Sequence, residues 1–315
     1  MSPDPVEELR YALAETDAGP AAPALRARVL AAGAAARTPG YPSDPSAHIT
    51  GAEVFSRMAR RLQGLLSELG PDEWSAPSIR GLTVQELVGH LVGVEHAFAR
   101  AVAGDPSVRT ADHVESTDRT AREQAGRLPS ATAADWEASV EAALSDIGAV
   151  ADHSTTVGFH GMVLDLDSLL VVRAFELWTH DEDIRRATGR AEVDPEPEVL
   201  ARMTELAVPL VPSGIRASRG ADDGEGADDG EGADPRPARL VLTGPGGGTW
   251  DLSYAGPVRR AGAGPAPDAH LTVSASTFCR VAANRASMDS VEVAVQGDHE
   301  AAAALFAGAA TLALD

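Results

Sequence analysis

In the stretch FELWTHDEDIRRATG, Glu176 and His180 stand four residues apart. On a helix that spacing places them one above the other on the same face. A carboxylate and an imidazole so arranged can reach one divalent ion, each ligand atom about 2 Å from it. The same spacing also suits a surface ion pair or a hydrogen-bonded pair. The setting argues for burial, because Leu169, Leu170, Val172, Phe175 and Trp178 surround the two, and buried polar groups need partners. A third side chain of ligand chemistry, His90, lies in VQELVGHLVGVEH beside an apolar helix face. Taken alone, a histidine in that place is more often a satisfied core residue than a ligand. His96 is six residues from His90 and points elsewhere on the helix, and His113, His153, His160, His270 and His299 read as structural or exposed. Cys279 reads as a small buried hydrophobe, with no activating base beside it in the sequence.

These residues must be carried by helices. Ala52–Leu69 has an apolar stripe through Val54, Met58, Leu62, Leu65, Leu66 and Leu69, closed by Gly70-Pro71. Thr83 and Glu86 form a capping-box pattern that opens the helix of His90, which runs to about Val102. Further helices are expected over Arg109–Leu128, Ala133–Val150, Asp165–Thr188 (the helix of Glu176 and His180, opening near Asp165 or Asp167) and Pro197–Leu210. Successive helices with short connections imply a bundle.

The flanks differ in texture. Residues 1–48 read as a mobile, weakly helical leader, with helical patches at Val6–Glu15 and Ala24–Arg37 broken by Gly and Pro. Residues 49–217 form the helical bundle. Residues 218–237 hold the repeat GADDGEGADDGEGADP, an acidic, Gly-rich linker or surface loop that cannot bury a core. It lacks the ligand pattern of a calcium loop. Residues 238–315 form a small α+β domain. A hairpin is expected from Arg239–Thr243 and Thr249–Tyr254, then a strand at Ala269–Ser274, a helix at Ser276–Asn284, a strand at Val291–Gln296 and a helix at His299–Leu312.

Composition narrows the function. A net charge of -21 argues against a nucleic-acid partner, since phosphate contacts need a basic surface. No run of about 18 apolar residues occurs, so no membrane span is expected. A single cysteine and an acidic N-terminus fit a cytoplasmic protein. With aromatics at only 4%, the core must rest on Leu, Val and Ala.

The stretch from about residue 51 to 210 resembles the mycothiol-dependent maleylpyruvate isomerase family, within the wider DinB-like four-helix bundles. The matching words are Trp74 and Pro77, LTVQELVGHLVGVEH and FELWTHDEDIRRATGR. The later words RLVLTGPGGGTWDLSYAGP and HLTVSASTFCRVAANR resemble that family's sterol-carrier-like C-terminal domain. The resemblance implies an α+β chain, a DinB-like helical bundle followed by a small α+β domain. It implies metal ligands at His90, Glu176 and His180, a donor set suited to zinc or another divalent metal with one position open. It implies mycothiol as the thiol, bound as thiolate at that position, and a small electrophilic substrate. Asp183, in the family's H-x-x-D-I-R pattern, would orient His180 or pair with Arg185 or Arg186. Arg285, where the family often has a Gly-Arg pair and this chain has Asn284, would act on an anionic substrate. The function implied is a metal-dependent thiol transferase or isomerase. Two other readings stay open: a non-enzymatic regulator that binds a ligand or partner, its leader docking a protein, and a metal-assisted hydrolase with Glu95 or Asp183 as nearby base.

Overall fold

The computed structural model describes residues 49–110, 113–222, 237–252, 258–261, 267 and 269–312. The leader and residues 223–236 of the acidic repeat lie outside the described residues. A helical region is followed by a small sheet-containing domain, as the sequence pattern implied.

Helix α1 (Gly51–Glu68) buries Val54, Phe55, Met58, Leu62, Leu65 and Leu66 along one face. Its N-terminus has a capping box from Thr50 and Glu53. Helix α2 (Val84–Val102) opens on the expected box, with Thr83 Oγ1 accepting from Glu86 N at 3.2 Å and Glu86 accepting from Thr83 N at 2.8 Å. It is buried on nearly all sides, and His90 and Glu95 are buried with it. Helices α3 (His113–Gln124) and α4 (Pro129–Ala149) pack on α2, while α5 (Leu166–Ala187) packs on α1. Trp74 closes one end from a short turn, and Trp136 of α4 is wholly buried. Burying each of these large side chains contributes roughly 1.5–3 kcal/mol.

Between α4 and α5 lies a feature absent from the sequence expectation: a hairpin of β1 (Thr156–Phe159) and β2 (Met162–Asp165). Its turn is His160-Gly161, with φ of 44° and 80°. Two left-handed central residues match the twist of paired strands, and a His-Gly turn is a weaker signal than Asn-Gly. The hairpin leads directly into α5, whose N-cap Asp165 accepts from Ser168 N at 2.8 Å.

After α6 (Pro197–Ala207) and a single tight turn, α7 runs from Val211 to Asp222. The expected helix thus closes at Leu210 through a 3-10 turn, and α7 is a further helix outside the sequence expectation. Pro209 and Pro212 look like breaks, but a proline in the first turn of a helix loses no hydrogen bond. The sheet has the order β5-β4-β3-β6-β7, from β3 (Ala238–Thr243), β4 (Gly248–Leu252), β5 (Arg259–Arg260), β6 (Ala269–Ser274) and β7 (Ala294–Gly297). The expected hairpin is β3–β4; β3 and β6 pair in parallel, with Leu240 opposite Leu271. Strand β7 starts three residues later than the expected Val291 and ends one residue beyond Gln296. Helix α8 (Ala275–Ala282) follows β6 directly, and α9 (His299–Ala310) packs on the sheet and on α7.

Helices α7 and α9 cross at two glycines. A Cβ on Gly214 would lie 2.1 Å from Gly308 O, and one on Gly308 would lie 2.2 Å from Ile215 Cγ1. Gly308→Leu should therefore cost about 1–3 kcal/mol by overpacking. Urea denaturation checks this, and an unchanged midpoint would contradict the crossing.

Candidate metal centre

Helices α2 and α5 face each other across the bundle core and bring His90, Glu176 and His180 together. One ligand atom from each of the three lies within 4.8 Å of the other two. His90 Nε2 is 3.6 Å from Glu176 Oε1, and the two imidazole rings meet edge to face, with centroids 5.5 Å apart. Both histidines are buried, and Glu176 keeps slight exposure.

Each imidazole is held by its outer nitrogen. Thr117 Oγ1 of α3 lies 2.7 Å from His90 Nδ1. Asp183 Oδ2, one helical turn beyond His180, accepts from His180 Nδ1 at 3.0 Å. A proton held at Nδ1 leaves the lone pair of Nε2 directed at the cluster, the form a metal ligand requires. His180 Nε2 is buried with no hydrogen-bond partner among the described residues. A buried polar atom in that state needs an explanation, and an ion between three converging donors supplies one. The residues therefore fit a divalent metal.

Asp183 is also the link to the sheet domain. Arg285 Nε and NH2 each donate to it at 2.9 Å, and Arg186 NH1 at 3.3 Å. Burial alone would raise this carboxyl, but the hydrogen bonds from His180 and Arg285 and their charge outweigh it and hold it below the usual range. Asp183 thus contacts His180 and Arg186 together, from a buried position rather than from the helix surface. Arg285 reaches Asp183 because α8 ends in a Schellman motif: Asn284 N donates to Val281 O and Arg285 N to Arg280 O. Asn284 takes the left-handed position, φ 55°, that glycine otherwise fills.

Some of the surrounding groups lie outside the sequence expectation. Arg173, fully buried, donates to Glu95 at 2.5 Å and to Glu176. Its place three residues before Glu176, inside the apolar run LLVVRAFELW, was the available signal. Thr117 gave none, being one polar residue among many on α3. Arg280 of α8 donates to Glu182 at 2.6 Å and lies over the Trp178 ring. Burial pushes Glu182 upward, against the attraction of Arg280.

The fold and cluster define a class: a helical bundle with a buried His-Glu-His centre, joined by ion pairs to a small mixed sheet. Residues 55–185 match the family model described as mycothiol maleylpyruvate isomerase N-terminal domain. That match contains all three residues of the cluster. Two solved structures, a mycothiol-dependent maleylpyruvate isomerase and a mutant of it, share the fold. Each has a TM-score of 0.52 and 16% identity, over 77% of this chain and 91% of that one. No curated protein matches the chain. No helix among the described residues is long and apolar enough to cross a membrane.

Removing one partner of a buried ion pair leaves the other charge uncompensated, at about 3–5 kcal/mol. Arg280→Ala should lower stability by that order and loosen the sheet domain from α5. Thermal unfolding and limited proteolysis report both effects; a variant as stable and as protease-resistant as wild type would contradict the link.

Proposed function

We propose that this chain is a divalent-metal-dependent enzyme that uses mycothiol on a small electrophilic substrate, as an isomerase or S-transferase. The observation that carries the reading is the convergence of two imidazoles and a carboxylate within 4.8 Å, in a domain whose family model is named for mycothiol maleylpyruvate isomerase. Two nitrogens and one oxygen suit zinc, with a position left for a further ligand. When bound, such an ion lowers the pKa of a thiol and supplies thiolate at neutral pH.

The chain's own residues prepare the centre. Thr117 and Asp183 hold the two imidazoles at their Nδ1 atoms, which leaves each Nε2 turned toward the cluster. Asp183 accepts from His180 Nδ1, which sets the tautomer and the orientation of that ring. Arg285 is placed beside Asp183 by the end of α8, and so brings the sheet domain's positive charge to the rim of the site. In an isomerisation the thiol adds to a double bond and leaves again; in a transfer it displaces a leaving group and stays. Hydrolysis has less support, because Glu95 and Asp183, the nearby carboxylates, are engaged by Arg173 and Arg285 rather than poised over a water. The thiol chemistry and the single buried cysteine fit a cytoplasmic setting.

Protein purified without chelator should hold about one equivalent of divalent metal by elemental analysis. His90→Ala and Glu176→Ala should each lose most of it. Calorimetry with mycothiol should give heat on zinc-loaded protein and none on metal-stripped protein. Equal metal in wild type and variants would refute the centre; absent heat on loaded protein would refute the thiol.

A further inference from the structure

Beside the cluster lies a buried ion pair that binds no ion itself. Arg173 is wholly buried on α5 between two carboxylates, Glu95 of α2 and Glu176 of its own helix. Glu95 is buried as completely as the arginine. The Phe159 ring of the β1–β2 hairpin lies 6.0 Å from the guanidinium carbon, on its face. Taking two charges from water costs several kcal/mol per ion, and apolar residues of similar volume often replace such a pair at no loss of stability. The pair therefore calls for an explanation other than folding. The geometry supplies one, because Arg173 NH1 takes Glu176 Oε2 while Glu176 Oε1 faces His90 Nε2 at 3.6 Å.

We propose that Arg173, held in place by Glu95, is a positioning residue that fixes Glu176 as a one-oxygen ligand. The inference rests on the metal reading above. A guanidinium that holds one carboxylate oxygen opposes the turn that would bring both oxygens onto an ion. The ion then keeps an open position, which is what a thiol or substrate needs. The guanidinium also draws charge from Glu176, which leaves the ion more electrophilic. Glu95 acts on the arginine alone. It neutralises Arg173 and fixes its plane, so the arginine neither repels the ion with a full unbalanced charge nor turns away. The hairpin enters through Phe159, which covers the guanidinium and excludes water from the pair.

Cobalt(II) reports this directly, since its visible band is strong at four-coordinate sites and weak at sites of higher coordination. Wild type, Arg173→Met and the double variant Glu95→Met with Arg173→Met are titrated with cobalt against a competing chelator. Both variants should bind about 10–100-fold more weakly, the usual effect of removing a group that orients a ligand. Both should also lose visible intensity as Glu176 turns to offer its second oxygen. The double variant, which leaves no unpaired buried charge, should unfold at or near the wild-type temperature, and it is the readout if the single variant does not fold. Wild-type affinity and spectrum in the folded variants would overturn the proposal, and so would a double variant whose spectrum returns to wild type along with its stability. If wild type itself takes up no cobalt, the metal reading fails and this inference falls with it.

Discussion

Helix α5 carries more buried charge than its own turns can satisfy, and the rest of the molecule is arranged around that constraint. Arg173, Asp181, Glu182 and Asp183 are each at most 2% exposed. A buried charge without a partner is prohibitive, so each must be met, mostly from another element. Asp181 takes Arg61 from α1 at 3.2 Å and Arg185 from its own helix at 2.6 Å. Glu182 takes Arg280, and Asp183 takes Arg285, both from the sheet domain's α8 and its C-terminal turn. Arg173 takes Glu95 from α2. The helix is thereby a hub that fixes the position of α1, α2 and the sheet domain at once.

This arrangement is a poor route to stability and a good one to precision. Buried ion pairs return little net free energy relative to apolar packing. What they do is fix directions: a guanidinium bound through two nitrogens tolerates little rotation. Asp183 shows the consequence, because it is hydrogen-bonded at once to His180 and to Arg285. The orientation of an imidazole in the bundle is therefore coupled to the seating of the sheet domain. A movement of α8 would be felt at His180 Nε2 through a single carboxylate.

Much of this was legible in the residues. The apolar stripe of α1, the capping box at Thr83 and the opening of α5 at Asp165 are local signals, and the elements form where they point. Spacing alone left Glu176 and His180 as a weak pair and His90 as an ordinary core histidine. The family resemblance joined them, and the structure brings their ligand atoms together. The β1–β2 hairpin was not legible, since its strands are four residues each and its His-Gly turn lacks the usual signature. Nor were the ion pairs, because a pairing such as Arg280 with Glu182 spans nearly a hundred residues of chain. Sequence shows that buried charges need partners; only the packed fold says which ones.

The central claim is that His90, Glu176 and His180 hold a divalent ion with room for a thiol. X-ray absorption at the zinc edge of loaded protein tests it most directly. The account predicts a first shell of nitrogen and oxygen atoms at about 2.0–2.2 Å with the outer-shell signature of two imidazoles. On adding mycothiol, it predicts one sulfur at about 2.3 Å. A first shell without imidazole, or one that acquires no sulfur when the thiol is present in excess, would contradict it.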